Sequence, residues 1–273
     1  MALTPSQVSE EFEEALTEEI LILLFLLRES VDTGILKEAY RVGNPQAVVD
    51  SIDWETFKSG LSGITPTLLK AYTEGSKSTL AEQSNTFKGG PIDITGPQSQ
   101  VFLQAIYDMI LELVEATKRG VYSVTEKLQS EGMGTNTAAS IIILLLGLTS
   151  QSASSLINAR NAQIKNGNPL KSVKESLNRQ SEKALLTRAS FISEDELYSS
   201  VSQGRKDTWE QWVATGFLAS DKLKQWVTKA DEFVCPVCGP LHLVTTAIGT
   251  PYPGGLFSTP AHPRCRCYER LFR

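Results

Sequence analysis

Cysteine and histidine are scarce in this 273-residue chain, which contains four cysteines and two histidines. No cysteine occurs before Cys235 and no histidine before His242, so metal centres and catalytic sites built on these residue types are excluded from the preceding chain. The N-terminal sequence has no basic segment followed by a hydrophobic stretch, so neither a secretory signal nor a transit peptide is predicted. We therefore expect the cysteines to be reduced, and a reduced cluster binds metal more often than it forms disulfides.

Long hydrophobic runs are also missing. The apolar runs at residues 21–27 and 141–146 are far shorter than the roughly 20 residues needed to span a bilayer.

Known catalytic patterns are missing as well. Gly89-Gly90 lacks the Lys-Ser/Thr of a phosphate-binding loop, and neither histidine stands in an H-E-x-x-H or H-x-E pattern. The sequence thus predicts a protein with no membrane contact and no enzymatic activity.

Apolar residues recur at helical spacing as far as about residue 225, which predicts a mainly α-helical fold. The first helix should run from Thr4-Pro5 to about Ser30. Its second half is apolar nearly all round, as in a buried helix or an oligomer interface. Because the preceding turns are strongly acidic, we expect an interface, with residues 1–32 dispensable for folding and required for assembly.

Glycine and proline clusters divide the chain at a linker, residues 88–97, and at a second breakpoint, residues 166–169. They predict an N-terminal helical region at 1–95 with an interaction or oligomer role, a central helical domain at 96–190, and a C-terminal helix with a metal-binding module at 191–273. One helix is expected over 46–61. Ser193-Glu-Asp-Glu196 has the capping-box pattern that starts another.

Charge is unevenly distributed in this chain, whose net charge is -5. Residues 1–32 carry acidic side chains against the single basic residue Arg28. Residues 157–190 carry mostly basic ones, with Glu175 and Glu182 as the exceptions. The basic side chains are Arg160, Lys165, Lys171, Lys174, Arg179, Lys183 and Arg188. Both stretches are typical of solvated helix faces; alternatively, the basic stretch faces nucleic acid or an acidic partner.

The cysteines form a motif with the spacing of a metal site. In Cys235-Pro-Val-Cys238 one tight turn directs two thiolates at one cation, and His262-Pro-Arg-Cys265 repeats the same offset. Buried thiols are the alternative, but the combination of C-x-x-C with H-x-x-C-x-C favours a metal. We assign Cys235, Cys238, His262 and Cys265 as the ligands, with Cys267 as the fifth candidate and first substitute. The mixed sulfur and nitrogen donors favour zinc.

With at least four protein ligands, no open position for water is implied, so the zinc is expected to be structural. Between the two halves of the motif, β-forming residues from Val244 to Ile248 are followed by Pro251-Tyr-Pro-Gly-Gly255. They predict a short β-ribbon and a loop. The expected fold is a multi-helix bundle with a small β-ribbon and zinc-binding module at the C-terminus.

The C-terminal motif resembles the closing signature of the Mu F-like minor head proteins, the phage head morphogenesis proteins of tailed bacteriophages. The resemblance is carried by Trp226-Val-Thr-Lys-Ala-Asp231, Val234-Cys-Pro-Val-Cys238 and His262-Pro-Arg-Cys-Arg-Cys267. A weaker likeness extends over residues 130–273, through the segments 147–151, 156–160, 185–188 and 204–209. The family commonly has Leu-Asp-Gly after its C-x-x-C, where this chain has Leu241-His-Leu243. Residues 1–95 are outside the resemblance.

The resemblance implies a non-enzymatic minor capsid protein, present in a few copies, that assembles with the phage portal protein and other head or scaffold proteins. It implies assembly in the host cytoplasm and a final place in the virion, in the head interior near the portal vertex. Some family members contact packaged double-stranded DNA and influence DNA ejection. Two alternatives remain: an effector or toxin-type enzyme that carries a phage-head module, and a nucleic-acid-binding zinc protein.

Overall fold

The computed structural model describes residues 4–80, 90, 92–229, 231–232 and 234–272. Within these ranges the chain is mainly α-helical with a small antiparallel sheet near its C-terminus, which confirms the predicted fold class. The helices are α1 (Pro5–Glu29), α2 (Thr33–Arg41), α3 (Pro45–Asp50), α4 (Trp54–Ser62), α5 (Thr65–Leu80), α6 (Pro97–Ser130), α7 (Thr135–Leu145), α8 (Ser150–Lys165) and α9 (Leu170–Ala214). The strands are β1 (Leu223–Val227), β2 (Thr245–Ala247) and β3 (Tyr268–Leu271).

Local sequence signals set many of the helix ends. The Asp32 carboxylate accepts hydrogen bonds from the N–H groups of Gly34 and Ile35 at the start of α2. The Thr149 hydroxyl accepts one from the N–H of Ser152 at the start of α8. These side chains satisfy N–H groups that have no partner inside the helix. Helix α8 therefore begins where the chain supplies a capping hydroxyl.

Two helix predictions were wrong. The single helix expected over 46–61 is two helices, because the Asp53 side chain accepts a hydrogen bond from the N–H of Thr56 and starts α4 anew. The helix expected to start at Ser193 is instead the continuation of α9, which runs for 45 residues. No glycine or proline precedes Ser193 closely, so the chain has no reason to leave the helix there.

The chain forms two compact units, each assembled from segments that are distant in sequence. The first unit comprises residues 1–16, 65–105 and 191–273, and the second comprises residues 17–64 and 106–190. This grouping differs from the three consecutive segments predicted from the sequence, because those follow breakpoints in chain order while the units follow packing. Residues 88, 89 and 91 of the predicted linker at 88–97 lie outside the described residues.

The C-terminal part of helix α1, residues 17–29, belongs to the core of the second unit. Ile20, Leu24 and Leu27 are almost fully buried. The Arg28 guanidinium is also buried, and it donates hydrogen bonds of 2.8 Å to the carbonyl of Leu146 and to the hydroxyl of Ser181. Burial lowers the pKa of Arg28 to about 10. Deletion of residues 1–32 would remove these core side chains, so the burial argues against the expectation that the segment is dispensable for folding.

In the first unit, α5 and α9 approach each other at two glycines. A Cβ atom on Gly204 would lie 1.9 Å from the carbonyl oxygen of Tyr72, and one on Gly75 would lie 2.2 Å from that of Val201. Only glycine permits backbones to come this close. The same contact brings the Tyr72 hydroxyl to the Asp207 carboxylate, to which it donates a hydrogen bond of 2.9 Å.

The sheet places the two halves of the cysteine motif side by side. Central strand β1, which was not predicted as a strand, pairs antiparallel with both β2 and β3. Its last residue, Val227, lies opposite Tyr268, the first residue of β3. Since the C-x-x-C segment follows β1 and Cys267 directly precedes β3, both halves meet at one end of the sheet.

No helix in the described part of the chain combines the length and hydropathy required to cross a membrane.

Candidate metal centre

Two tight turns present the candidate ligands. In the first, the N–H of Gly239 donates to the carbonyl of Cys235 at 2.9 Å, and the N–H of Cys238 donates to the Cys235 sulfur at 3.3 Å. In the second, the N–H of Cys265 donates to the carbonyl of His262 at 3.1 Å. Each turn carries two donor side chains three residues apart, as the sequence spacing predicts.

The five candidate side chains gather in two triads of mutually close donor atoms. One triad is Cys235, Cys238 and His262, and the other is Cys238, Cys265 and Cys267. Cys238 is shared by both and is 1% exposed. The cluster could therefore hold a metal ion, with Cys238 as its central donor.

Donor separations match those around a tetrahedral ion. The sulfurs of Cys238 and Cys265 are 3.8 Å apart, and His262 Nε2 lies 3.4 Å from the Cys238 sulfur and 3.1 Å from the Cys235 sulfur. In a tetrahedral zinc site with Zn–S bonds of about 2.3 Å and Zn–N bonds of about 2.0–2.1 Å, two sulfurs lie about 3.8 Å apart and sulfur and nitrogen about 3.5 Å apart. Cys265 shares no triad with Cys235 or His262, so the four donors must draw together to surround one ion.

The imidazole of His262 is oriented to use Nε2 as a donor. Its Nδ1 lies 2.9 Å from the carbonyl oxygen of Pro263, so the ring proton resides on Nδ1 and the Nε2 lone pair points towards the thiols. All five candidate side chains line a cavity of about 30 Å³. A volume of about 10–15 Å³ already accommodates one water-sized occupant, so a single ion fits.

The thiols are arranged so that one ionises before its neighbours. A hydrogen bond from the Cys267 thiol lowers the pKa of Cys265 to about 5. The same bond raises the pKa of Cys267, and burial raises that of Cys238 to about 12. Lys229, Arg264 and Arg266 line the same cavity, and their positive charges favour thiolates. A bound cation would favour ionisation of the remaining ligands in the same way.

Helix α9 supports the second turn. The Asp195 carboxylate accepts a hydrogen bond of 2.6 Å from the N–H of Arg264, whose backbone is left-handed with a φ of 58°. The Arg264 guanidinium lies 4.4 Å from the centre of the Phe191 ring. The Tyr198 hydroxyl donates to the carbonyl of Cys267. The Ser193-Glu-Asp-Glu196 pattern predicted a capping box around Asp195, and no local pattern connects Asp195 with the distant Arg264.

No family model, curated protein or solved structure matches this chain.

His242 and Leu243 shape the turn that follows the C-x-x-C segment. Leu243 adopts a φ of 64°, in the left-handed region where glycine is free of strain. His242 Nδ1 accepts a hydrogen bond of 3.2 Å from the N–H of Thr228 and lies 2.9 Å from its hydroxyl. An aspartate oxygen could accept the same bonds. Histidine thus supplies the acceptor in this turn, and Leu243 carries the backbone strain.

Replacing Leu243 by glycine is expected to tighten metal retention about two- to fivefold. Glycine removes the strain of a left-handed backbone at this position, which lowers the free energy of the folded state by roughly 1 kcal/mol. Part of that gain is offset because glycine has greater conformational freedom in the unfolded chain. Chelator competition on the full chain measures the effect. Val237→Gly, at an exposed position of the first turn without positive φ, is the matched control and should weaken retention or leave it unchanged. Weaker retention in Leu243→Gly would contradict this account of the turn.

Proposed function

We propose that the cluster is a structural zinc site, with Cys235, Cys238, His262 and Cys265 as the ligands and Cys267 as the substitute. The observation that carries the proposal is the set of donor separations, 3.1, 3.4 and 3.8 Å, which lie close to those of a tetrahedral S/N zinc site. Three thiolates and one imidazole are a soft donor set, which suits zinc rather than magnesium or calcium.

A structural role follows from the surroundings of the ligands. Cys238, Cys265 and Cys267 are buried in a small cluster with Trp226, Leu241 and Tyr252. The sheet beside the cluster has only short strands, so a few apolar side chains must hold the C-terminal module together. Four protein donors fill a tetrahedral site and leave no position for a reacting water, and binding energy then stabilises the fold.

We further propose that the chain is a non-enzymatic minor head protein of a tailed bacteriophage. Support comes from the motif: Trp226, the C-x-x-C turn and His262-x-x-Cys265-x-Cys267 are the residues by which the sequence resembles Mu F-like minor head proteins. These residues pack together in one module, as a signature under common structural constraint would. On this proposal the protein assembles with the portal protein and lies in the head interior near the portal vertex. At that place it can contact packaged DNA.

Quantitative mass spectrometry of particles from the producing host tests the head-protein proposal. Empty heads, full heads and isolated portal complexes are compared for this chain and for the portal protein. We expect a few copies per portal ring in all three samples. Absence from every particle would overturn the proposal and favour the effector or nucleic-acid-binding alternatives. The zinc proposal is independent of that outcome and is tested by metal content.

A further inference from the structure

The exposed face of α1 in the second unit carries an adjoining group of apolar side chains. Ile22, Phe25 and Leu26 are 50%, 37% and 53% exposed. Their spacing of three and four residues puts them on one face of the helix. Scattered apolar side chains are ordinary on protein surfaces, but adjoining large ones mark a binding face. We name these three residues the α1 stripe.

The helix that carries the α1 stripe is held in place by its opposite face. Ile20, Leu24 and Leu27 are buried on the opposite side. The Arg28 guanidinium anchors the end of the helix through its hydrogen bonds to Leu146 and Ser181. A face held in this way loses little conformational entropy when a partner binds, which favours binding.

Acidic side chains bracket the α1 stripe. Glu18 is exposed one turn before Ile22, and Glu29 is exposed one turn after Phe25. Arg28, the basic residue of this helix, is turned into the interior and does not offset their charge at the surface. The face is therefore apolar in the middle and negative at both ends.

We propose that the α1 stripe binds an amphipathic helix of another protein, one with apolar residues at i, i+3 and i+4 and with lysine or arginine at both ends. Helix-in-groove and helix-on-helix recognition use this apolar spacing, and complementary charge selects the partner. A second α1 helix fits poorly, because parallel pairing places Glu18 against Glu18 and antiparallel pairing places it against Glu29. Such like-charge contacts destabilise the pair.

The basic half of α9 is also a poor occupant. In residues 170–190 the exposed large apolar side chains are Leu170 and Leu186, which stand at opposite ends of the segment. They cannot form the i, i+3, i+4 stripe that would match Ile22, Phe25 and Leu26. Charge complementarity alone would make such a contact weak and salt-sensitive.

Binding of a synthetic peptide to the full chain tests the proposal. The probe is a fluorescent helical peptide with leucines at i, i+3, i+4 and i+7 and lysines elsewhere. Its matched control keeps the leucines and has glutamate in place of lysine. Protein variants are Ile22→Gln/Leu26→Gln and the charge reversal Glu18→Lys/Glu29→Lys. The control variant is Val101→Gln/Leu170→Gln, which removes two other exposed apolar side chains from helices.

We expect both stripe variants to bind the lysine peptide at least about tenfold more weakly than the wild type, because apolar contacts and complementary charge are lost. The control variant should bind as the wild type does, and the glutamate peptide should not bind. Equal binding by Ile22→Gln/Leu26→Gln and the control variant would overturn the proposal. So would dimerisation of the chain, measured by sedimentation, that the same double substitution abolishes.

Discussion

A Cys238→Ser variant of the full chain is expected to lose its metal and to unfold the C-terminal module while the second unit remains folded. Cys238 is the donor shared by both triads, and it is buried beside Trp226 and Tyr252. Structural zinc contributes about 10–16 kcal/mol of apparent binding free energy in zinc-finger peptides. That is as large as the total stability of a typical domain, about 5–15 kcal/mol. A module with so few apolar side chains should not survive the loss.

Hydrogen exchange with mass spectrometry separates the two parts of the molecule. Peptides from β1, β2 and β3 should lose protection in Cys238→Ser, whereas peptides from residues 106–190 should keep it, because the second unit contains none of the ligands. Val237→Ser changes the exposed neighbour in the same turn and should retain metal and protection. A Cys238→Ser protein with wild-type protection and bound metal would contradict the assignment of Cys238.

Substitution of Gly204 by alanine is expected to destabilise the first unit by at least about 3 kcal/mol, since overpacking that cannot be relieved by side-chain movement forces the backbone to shift. The new Cβ would stand 1.9 Å from the carbonyl oxygen of Tyr72. Helices α5 and α9 must separate, which also breaks the hydrogen bond between Tyr72 and Asp207. Denaturant unfolding, or soluble yield if the variant aggregates, measures the effect.

Gly60→Ala is the matched control for that substitution. Gly60 also lies within a helix, but its new Cβ would meet the end of the flexible Leu23 side chain, 2.6 Å away, which can rotate aside. Alanine is favoured over glycine in helix interiors by about 0.8–1.0 kcal/mol, so this variant should be near neutral. If Gly60→Ala and Gly204→Ala lower the free energy of unfolding equally, the close approach of α5 and α9 is not the cause of the destabilisation.

Local signals in the sequence predict much of the fold. Helical periodicity and caps such as Thr149 depend on residues within one or two turns, so most helix positions are recovered. The candidate ligands are also predictable, because each half of the metal motif is a single tight turn with two donors three residues apart. A tetrahedral metal ion needs four donors, so the two halves of the motif are expected to lie close together. The structure brings them together.

Long-range packing explains what the sequence does not predict. The compact units combine segments such as 1–16 and 191–273, and no local pattern links them. Asp195 supports the turn at Arg264, although its neighbours suggested a capping box. Gly75 and Gly204 stand inside helices, where glycine is costly. That cost is a signal of close backbone approach, but it does not identify the partner helix.

Zinc content of the purified full chain tests the central claim most directly. Protein made without an affinity tag is dialysed against a weak chelator and its metals are measured by inductively coupled plasma mass spectrometry, beside Cys238→Ser and Cys267→Ser. The proposed ligand set predicts one zinc ion per chain in the wild type and in Cys267→Ser, and none in Cys238→Ser. A wild-type chain that retains no zinc, or a Cys238→Ser chain that retains as much as the wild type, would contradict it.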